Sequence, residues 1–160
     1  MCFFRGYAIL DAAGRRTGGN KMGEGADMES LLTTNIYEPA GVVLIAGTCL
    51  KKMQPRAFAA LCREADCVYS LCLEESHINM AVTKLGAMAA TGRITKMIFA
   101  TVDRSPHCTQ MHYIDHEIRR MMALPFETVH YVAAEEELYL IADEVIEQSK
   151  TLRTLARKMI

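Results

Sequence analysis

Gly41-Val42-Val43-Leu44-Ile45-Ala46-Gly47 (GVVLIAG) is the stretch that decides how this chain is read. Five apolar residues stand in a row between two glycines, with no polar residue alternating among them. A strand with one wet face alternates; a continuous apolar run marks a strand covered on both faces, as in a parallel sheet between helices. A loop, Gly47-Thr48-Cys49, follows. Pro55 then suits the first turn of a helix, and Phe58, Leu61, Cys62 and Ala65 recur at helical spacing.

The alternation continues downstream. Residues 67–73 (CVYSLCL) read as a second strand. Ser76 predicts an N-cap for a helix over 77–91, with Gly92 as its stop. Residues 97–102 (MIFATV) read as a third strand, and SPHCTQMHYIDH, residues 105–116, begins a third helix that runs to about Ala123, ahead of Pro125. Residues 128–132 (TVHYV) read as a fourth strand. The periodicity of Leu138, Ile141, Val145, Ile146, Leu152 and Leu155 predicts a final helix over 135–157, with Glu135-Glu136-Glu137 complementing its dipole. Repeated strand–helix units imply right-handed crossovers and helices on both sides of one sheet. The expected fold class is α/β: a three-layer αβα sandwich with a mostly parallel sheet of four or five strands, flavodoxin/Rossmann-like, its first regular strand central.

Residues 41–160 form that α/β domain, and residues 1–40 read as an N-terminal arm. In the arm, residues 2–10 are apolar enough for an extra strand, and Gly14, Gly18, Gly19, Gly23 and Gly25 predict a mobile loop. A short helix is expected over 28–37, ended by Glu38-Pro39.

Composition narrows the function classes. The 160 residues are 51% apolar and 23% charged, ordinary for a globular domain. A net charge of −1 supplies no basic field for a phosphate backbone, so nucleic acid is not an expected partner. No apolar run reaches the length of a membrane span, and the first residues lack a basic n-region and a long apolar h-region; the expectation is a cytoplasmic protein. A reducing cytosol disfavours disulfides among its six cysteines, and no CxxC pair occurs.

Strand-end loops are where open parallel sheets bind ligands. Cys49 lies past the first strand, Cys72 at the end of the second and Cys108 past the third, with His77, His107 and His112 on the same side. Cys62 and Cys67 fall at the opposite edge and read as structural. Cys108, His112 and His116 are spaced i, i+4, i+8, one face of a continuous helix. Thiolate and imidazole suit zinc or an iron–sulfur cluster, so Cys49, Cys72, Cys108, His107 and His112 are the candidate metal ligands. Cys108 or Cys49 is the alternative catalytic or redox thiol, with a histidine as base and with Lys51-Lys52 expected to lower the Cys49 thiol if they point inward. Gly47, Thr48, Asp103 and Ser105 are the candidate cofactor-binding residues for a nucleotide or flavin, although GxGxxG and GxxxxGK[ST] are both absent. Packing alone also explains buried cysteines, makes His112 and His116 the polar face of an amphipathic helix, and leaves His130 a strand histidine without a ligand role. The leading expectation is a small redox or metal-binding protein working with a redox partner or small molecule. The alternatives are a small-molecule-binding module at the same edge and a homo-oligomeric interaction subunit.

Overall fold

The computed structural model describes Ile9–Leu10, Arg16–Thr17 and residues 28–159. Strands β1 (Ile9–Leu10) and β2 (Arg16–Thr17) pair antiparallel as a separate two-stranded sheet. The other residues of 1–27, with the expected glycine loop, lie outside the described residues. The domain that follows contains β3 (Glu29–Ser30), β4 (Gly41–Gly47), α1 (Leu50–Met53), α2 (Pro55–Glu64), β5 (Cys67–Leu71), α3 (Ile78–Ala90), β6 (Ile94–Val102), α4 (Pro106–Met111), α5 (Tyr113–Met121), β7 (Glu127–Ala134), β8 (Glu137–Ile141), α6 (Asp143–Ser149) and α7 (Leu152–Lys158). Among the described residues no helix is long and apolar enough to cross a membrane.

The sheet has six strands in the order β3-β5-β4-β6-β7-β8, parallel except for β7–β8. The GVVLIAG run lies between β5 and β6, and Val43 to Ala46 are fully buried. Their alternate side chains serve two cores. Val43 and Ile45 pack with Leu85 and Met88 of α3 and with Ile114 and Ile118 of α5. Leu44 and Ala46 pack with Leu50 of α1 and with Phe58 and Leu61 of α2. Both faces of the sheet are thus covered by helices. Each fully buried Leu, Ile or Phe in these cores contributes about 1.5–3 kcal/mol.

Besides the strand count, six where four or five were expected, four expectations change. Residues 28–37 form no helix: Glu29–Ser30 adds a short parallel strand beside β5, and turns follow in which Thr33 and Thr34 donate back to the Ser30 carbonyl. The final helix over 135–157 is replaced by β8 and two short helices. Glu135 and Glu136 both hold positive φ, 52° and 65°, and turn the chain into a hairpin rather than starting a helix. The Glu136 carboxylate accepts from the amides of Arg56 and Ala57 at the start of α2, and its own N–H donates to the Gln54 side chain at 2.6 Å. A tertiary contact therefore offsets an unfavourable turn. The third helix is also broken: α4 ends and α5 begins at His112. At α3, His77 takes the N-cap position, and Ser76 instead donates to the Cys72 carbonyl.

Gly41 starts β4 at φ 71°, and a Cβ there would lie 2.2 Å from Asp66 Oδ2, which accepts from the Val42 amide at 2.9 Å. Gly41→Ala therefore brings left-handed strain of about 1–2 kcal/mol and loosens that hydrogen bond. Urea unfolding checks it; a midpoint equal to that of the native chain would refute this account of the β4 entry.

Candidate functional site: a buried histidine chain beneath a cleft

The carboxyl ends of β6 and β7 open into a cleft of about 790 Å³. Its polar lining comes from Gln54, Thr101, Asp103, Arg104, Thr109, His112, Glu135, Tyr139 and Ser149. Val102, Val132, Ala133, Ile141, Val145 and Ile146 supply apolar wall. One guanidinium thus faces two carboxylates, so the lining as a whole is not cationic.

The local sequence explains how His112 reaches the base of this cleft. Ser105 caps α4, its Oγ accepting from the Cys108 amide at 3.3 Å, and Pro106 occupies the first turn. The helix lasts six residues, and the break at His112 lets α5 set off anew with Ile114 and Ile118 in the core. His112 is only 4% exposed.

Below it runs a chain of polar groups from three elements. Thr101 Oγ1 lies 2.9 Å from His112 Nε2, His112 Nδ1 lies 3.0 Å from His130 Nδ1, and His130 Nε2 lies 3.4 Å from Asp115 Oδ2. Arg119 Nε donates to both Asp115 oxygens, at 2.9 and 3.0 Å, and Thr128 Oγ1 donates to Oδ2 at 2.7 Å. Phe99 stacks on the His130 ring with centroids 5.1 Å apart. Asp115 sets the direction of the protons. A carboxylate accepts, so His130 Nε2 carries hydrogen; His130 Nδ1 then accepts from His112 Nδ1–H, and His112 Nε2 accepts from the Thr101 hydroxyl. Every member is satisfied with both imidazoles neutral.

The electrostatics agree with that assignment. Burial, and then the neighbouring His130, push the His112 pKa down to about 3. For Asp115, burial alone would raise the pKa, but hydrogen bonds from His130, Thr128 and Arg119 outweigh it and hold the carboxyl below its ordinary value.

A second constellation adjoins Asp115. His116 is 9% exposed, and its Nδ1 lies 2.5 Å from Glu147 Oε1 on α6. Lys150 Nζ donates to the same Glu147 oxygen at 2.8 Å. Among the described residues, one trio of possible ligand atoms falls wholly within 4.8 Å: Asp115, His116 and Asp143.

The expected cysteine site is placed less tightly. The loops after β4, β5 and β6 do bring Cys49, Cys72 and Cys108 to one region: Cys72 and Cys108 both act on the Cys49 thiol, and Cys108 Sγ would stand 3.7 Å from a Cβ on Gly47. Among the described residues they form no ligand set within 4.8 Å. Lys51 and Lys52 do not dominate at Cys49; burial, then Cys108 and Cys72, raise its pKa. His107 is half-exposed, 4.0 Å from Glu74, and His77 is exposed. His112 belongs to the histidine chain instead. Cys108 packs against the α1/α2 core, while His112, at the end of its helix, turns to His130 on β7. Nor are His112 and His116 solvent-facing; both are buried.

Of the four expected cofactor residues, Asp103 lines the cleft, Ser105 is spent as a cap, and Gly47 and Thr48 lie on the neighbouring β4 loop, where Thr48 donates its amide to Leu71. Thr101, Asp115, Arg119 and His130 were not expected at a site. Asp115 and Arg119 carried a signal, an i,i+4 acid–base pair on one helix; His130 carried none. No protein family model, no curated protein and no solved structure matches this chain.

His112 stays neutral in the fold down to about pH 3 and titrates near 6.5 when unfolded. The unfolded chain binds the extra proton between those values, so stability falls as pH drops through that window. From pH 7 to 4.5 the native chain should lose roughly 2 kcal/mol more than His112→Gln. Urea midpoints at the two pH values measure this, and equal losses would dismiss the neutral-histidine assignment.

Proposed function

We propose that the protein binds a small, uncharged heterocyclic molecule in the cleft above His112. The observation that carries this reading is a neutral imidazole and a hydroxyl, His112 and Thr101, held in fixed orientation at the base of a largely apolar cleft. The volume, about 790 Å³, falls in the range of small-molecule sites. Thr101 donates to His112 and keeps lone pairs for a donor on the ligand, while Thr109, Tyr139 and Ser149 offer hydroxyls further out. Flavodoxin-like order among the four long parallel strands, second-first-third-fourth, supports binding at their carboxyl edge. The balance of Arg104 against Asp103 and Glu135, and the lack of a glycine-rich phosphate loop, favour a neutral ring system over its phosphate ester. A flavin ring or nucleoside is the class that fits.

A second reading has one observation in its favour: Cys72 and Cys108 lie near enough at the neighbouring strand ends to act on the Cys49 thiol. In that reading these thiols, with His107, take up a soft metal or exchange disulfides, and Cys108→Ser abolishes the activity.

Calorimetric titration with riboflavin, adenosine, FMN and AMP separates the readings. The native chain should bind at least one neutral compound more tightly than its phosphate ester. Thr101→Val removes one hydroxyl at nearly constant shape and should weaken binding about tenfold, whereas Cys108→Ser should leave it unchanged. Tighter binding of the phosphate esters, or none of the four, rejects the proposal.

A further inference from the structure

We propose that Asp115, His116 and Asp143 form a site for one first-row divalent cation of the zinc class. The proposal does not rest on what occupies the cleft.

His116 carries the argument. It is buried at the start of α5, yet only its Nδ1 is engaged, as a donor to the Glu147 carboxylate that Lys150 also reaches. Among the described residues Nε2 makes no hydrogen bond, and Asp143 Oδ1 stands 4.0 Å from it. That is too far for a hydrogen bond. It is near the separation of two ligands on one ion, since Zn–N and Zn–O distances run about 2.0–2.2 Å. The close contact between Nδ1 and Glu147 has the form common around metal-bound histidines: one ring nitrogen donates to a carboxylate, and the other presents its lone pair.

The two carboxylates complete the set from different elements. Asp115 Oδ1 accepts from Arg119 alone and retains a lone pair, while Thr128 and His130 are on Oδ2. Asp143 opens α6 and is 62% exposed, free to close the remaining gap. One imidazole and two carboxylates place the site between hard all-oxygen cages and soft thiolate sites, which favours Zn²⁺ or a similar ion over Ca²⁺ or Cu(I). The ion would clamp α6 onto α5 and would leave positions for water.

Equilibrium dialysis of the full chain against Zn²⁺, and against Co²⁺ as a spectroscopic substitute, tests the assignment. One ion per chain is expected, with a Co²⁺ spectrum lacking thiolate charge-transfer bands. Asp143→Ala, at an exposed position, should leave the metal-free urea midpoint unchanged and weaken uptake at least tenfold. Glu147→Gln should weaken it about tenfold or more through His116. A chain with Cys49, Cys72 and Cys108 all changed to Ser should bind as the native one does. No uptake of either ion overturns the proposal. So does uptake that survives Asp143→Ala, or that is lost with the cysteines.

Discussion

A carboxylate deep in a protein persists only where hydrogen bonds and opposite charge replace water, and the Asp115 side chain is wholly buried. Its partners define the surrounding structure. Arg119 reaches back one helical turn, while Thr128 and His130 come from β7, so satisfying one charge ties α5 to the sheet. The same charge fixes the His130 tautomer, which fixes His112, which turns the Thr101 hydroxyl toward the ring. Without the carboxylate, either imidazole could hold its proton on either nitrogen. With it, the groups beneath the cleft have one arrangement.

The strands that build the two cores were legible in the sequence, for a physical reason. A strand covered on both faces needs a near-continuous apolar run, and residues 42–46, 67–73 and 97–102 supply one, interrupted only at Ser70 and Thr101. Elements whose existence depends on a distant partner were not legible. Glu29–Ser30 is a strand only because β5 lies beside it. Leu138 and Ile141 sit three apart, a helical spacing, but the chain there pairs with β7 instead, fixed by a turn that leans on α2. Local periodicity cannot register such a contact.

The candidate site divides along the same line. Strand ends are a topological property, so the gathering of Cys49, Cys72 and Cys108, and the place of Asp103 on the cleft, followed from reading strands correctly. The histidine chain is a tertiary property. Thr101, His112, His130 and Asp115 come from β6, the α4–α5 junction, β7 and α5, and the helix break at His112 that joins them leaves no composition signature. The edge consequently offers two chemistries side by side, soft sulfur on the β4 and β5 side and hydrogen-bonded imidazole on the β6 and β7 side. The former is loosely placed and the latter fully partnered.

The hairpin at Glu135-Glu136 also bears on the order in which the chain folds. In the six-stranded sheet β7–β8 is the pair joined by a two-residue turn; the others bridge intervening helices or strands. Hairpins close in about 1–10 μs, whereas pairing over long separations waits on a slower search. An isolated two-stranded ribbon is marginal in water, and this one carries two left-handed glutamates at its tip. It becomes lasting when Glu136 finds the amides of Arg56 and Ala57, about eighty residues away. The quickest local event thus depends on one of the most distant contacts in the chain. That dependence favours all-or-none assembly over a stable half-built sheet.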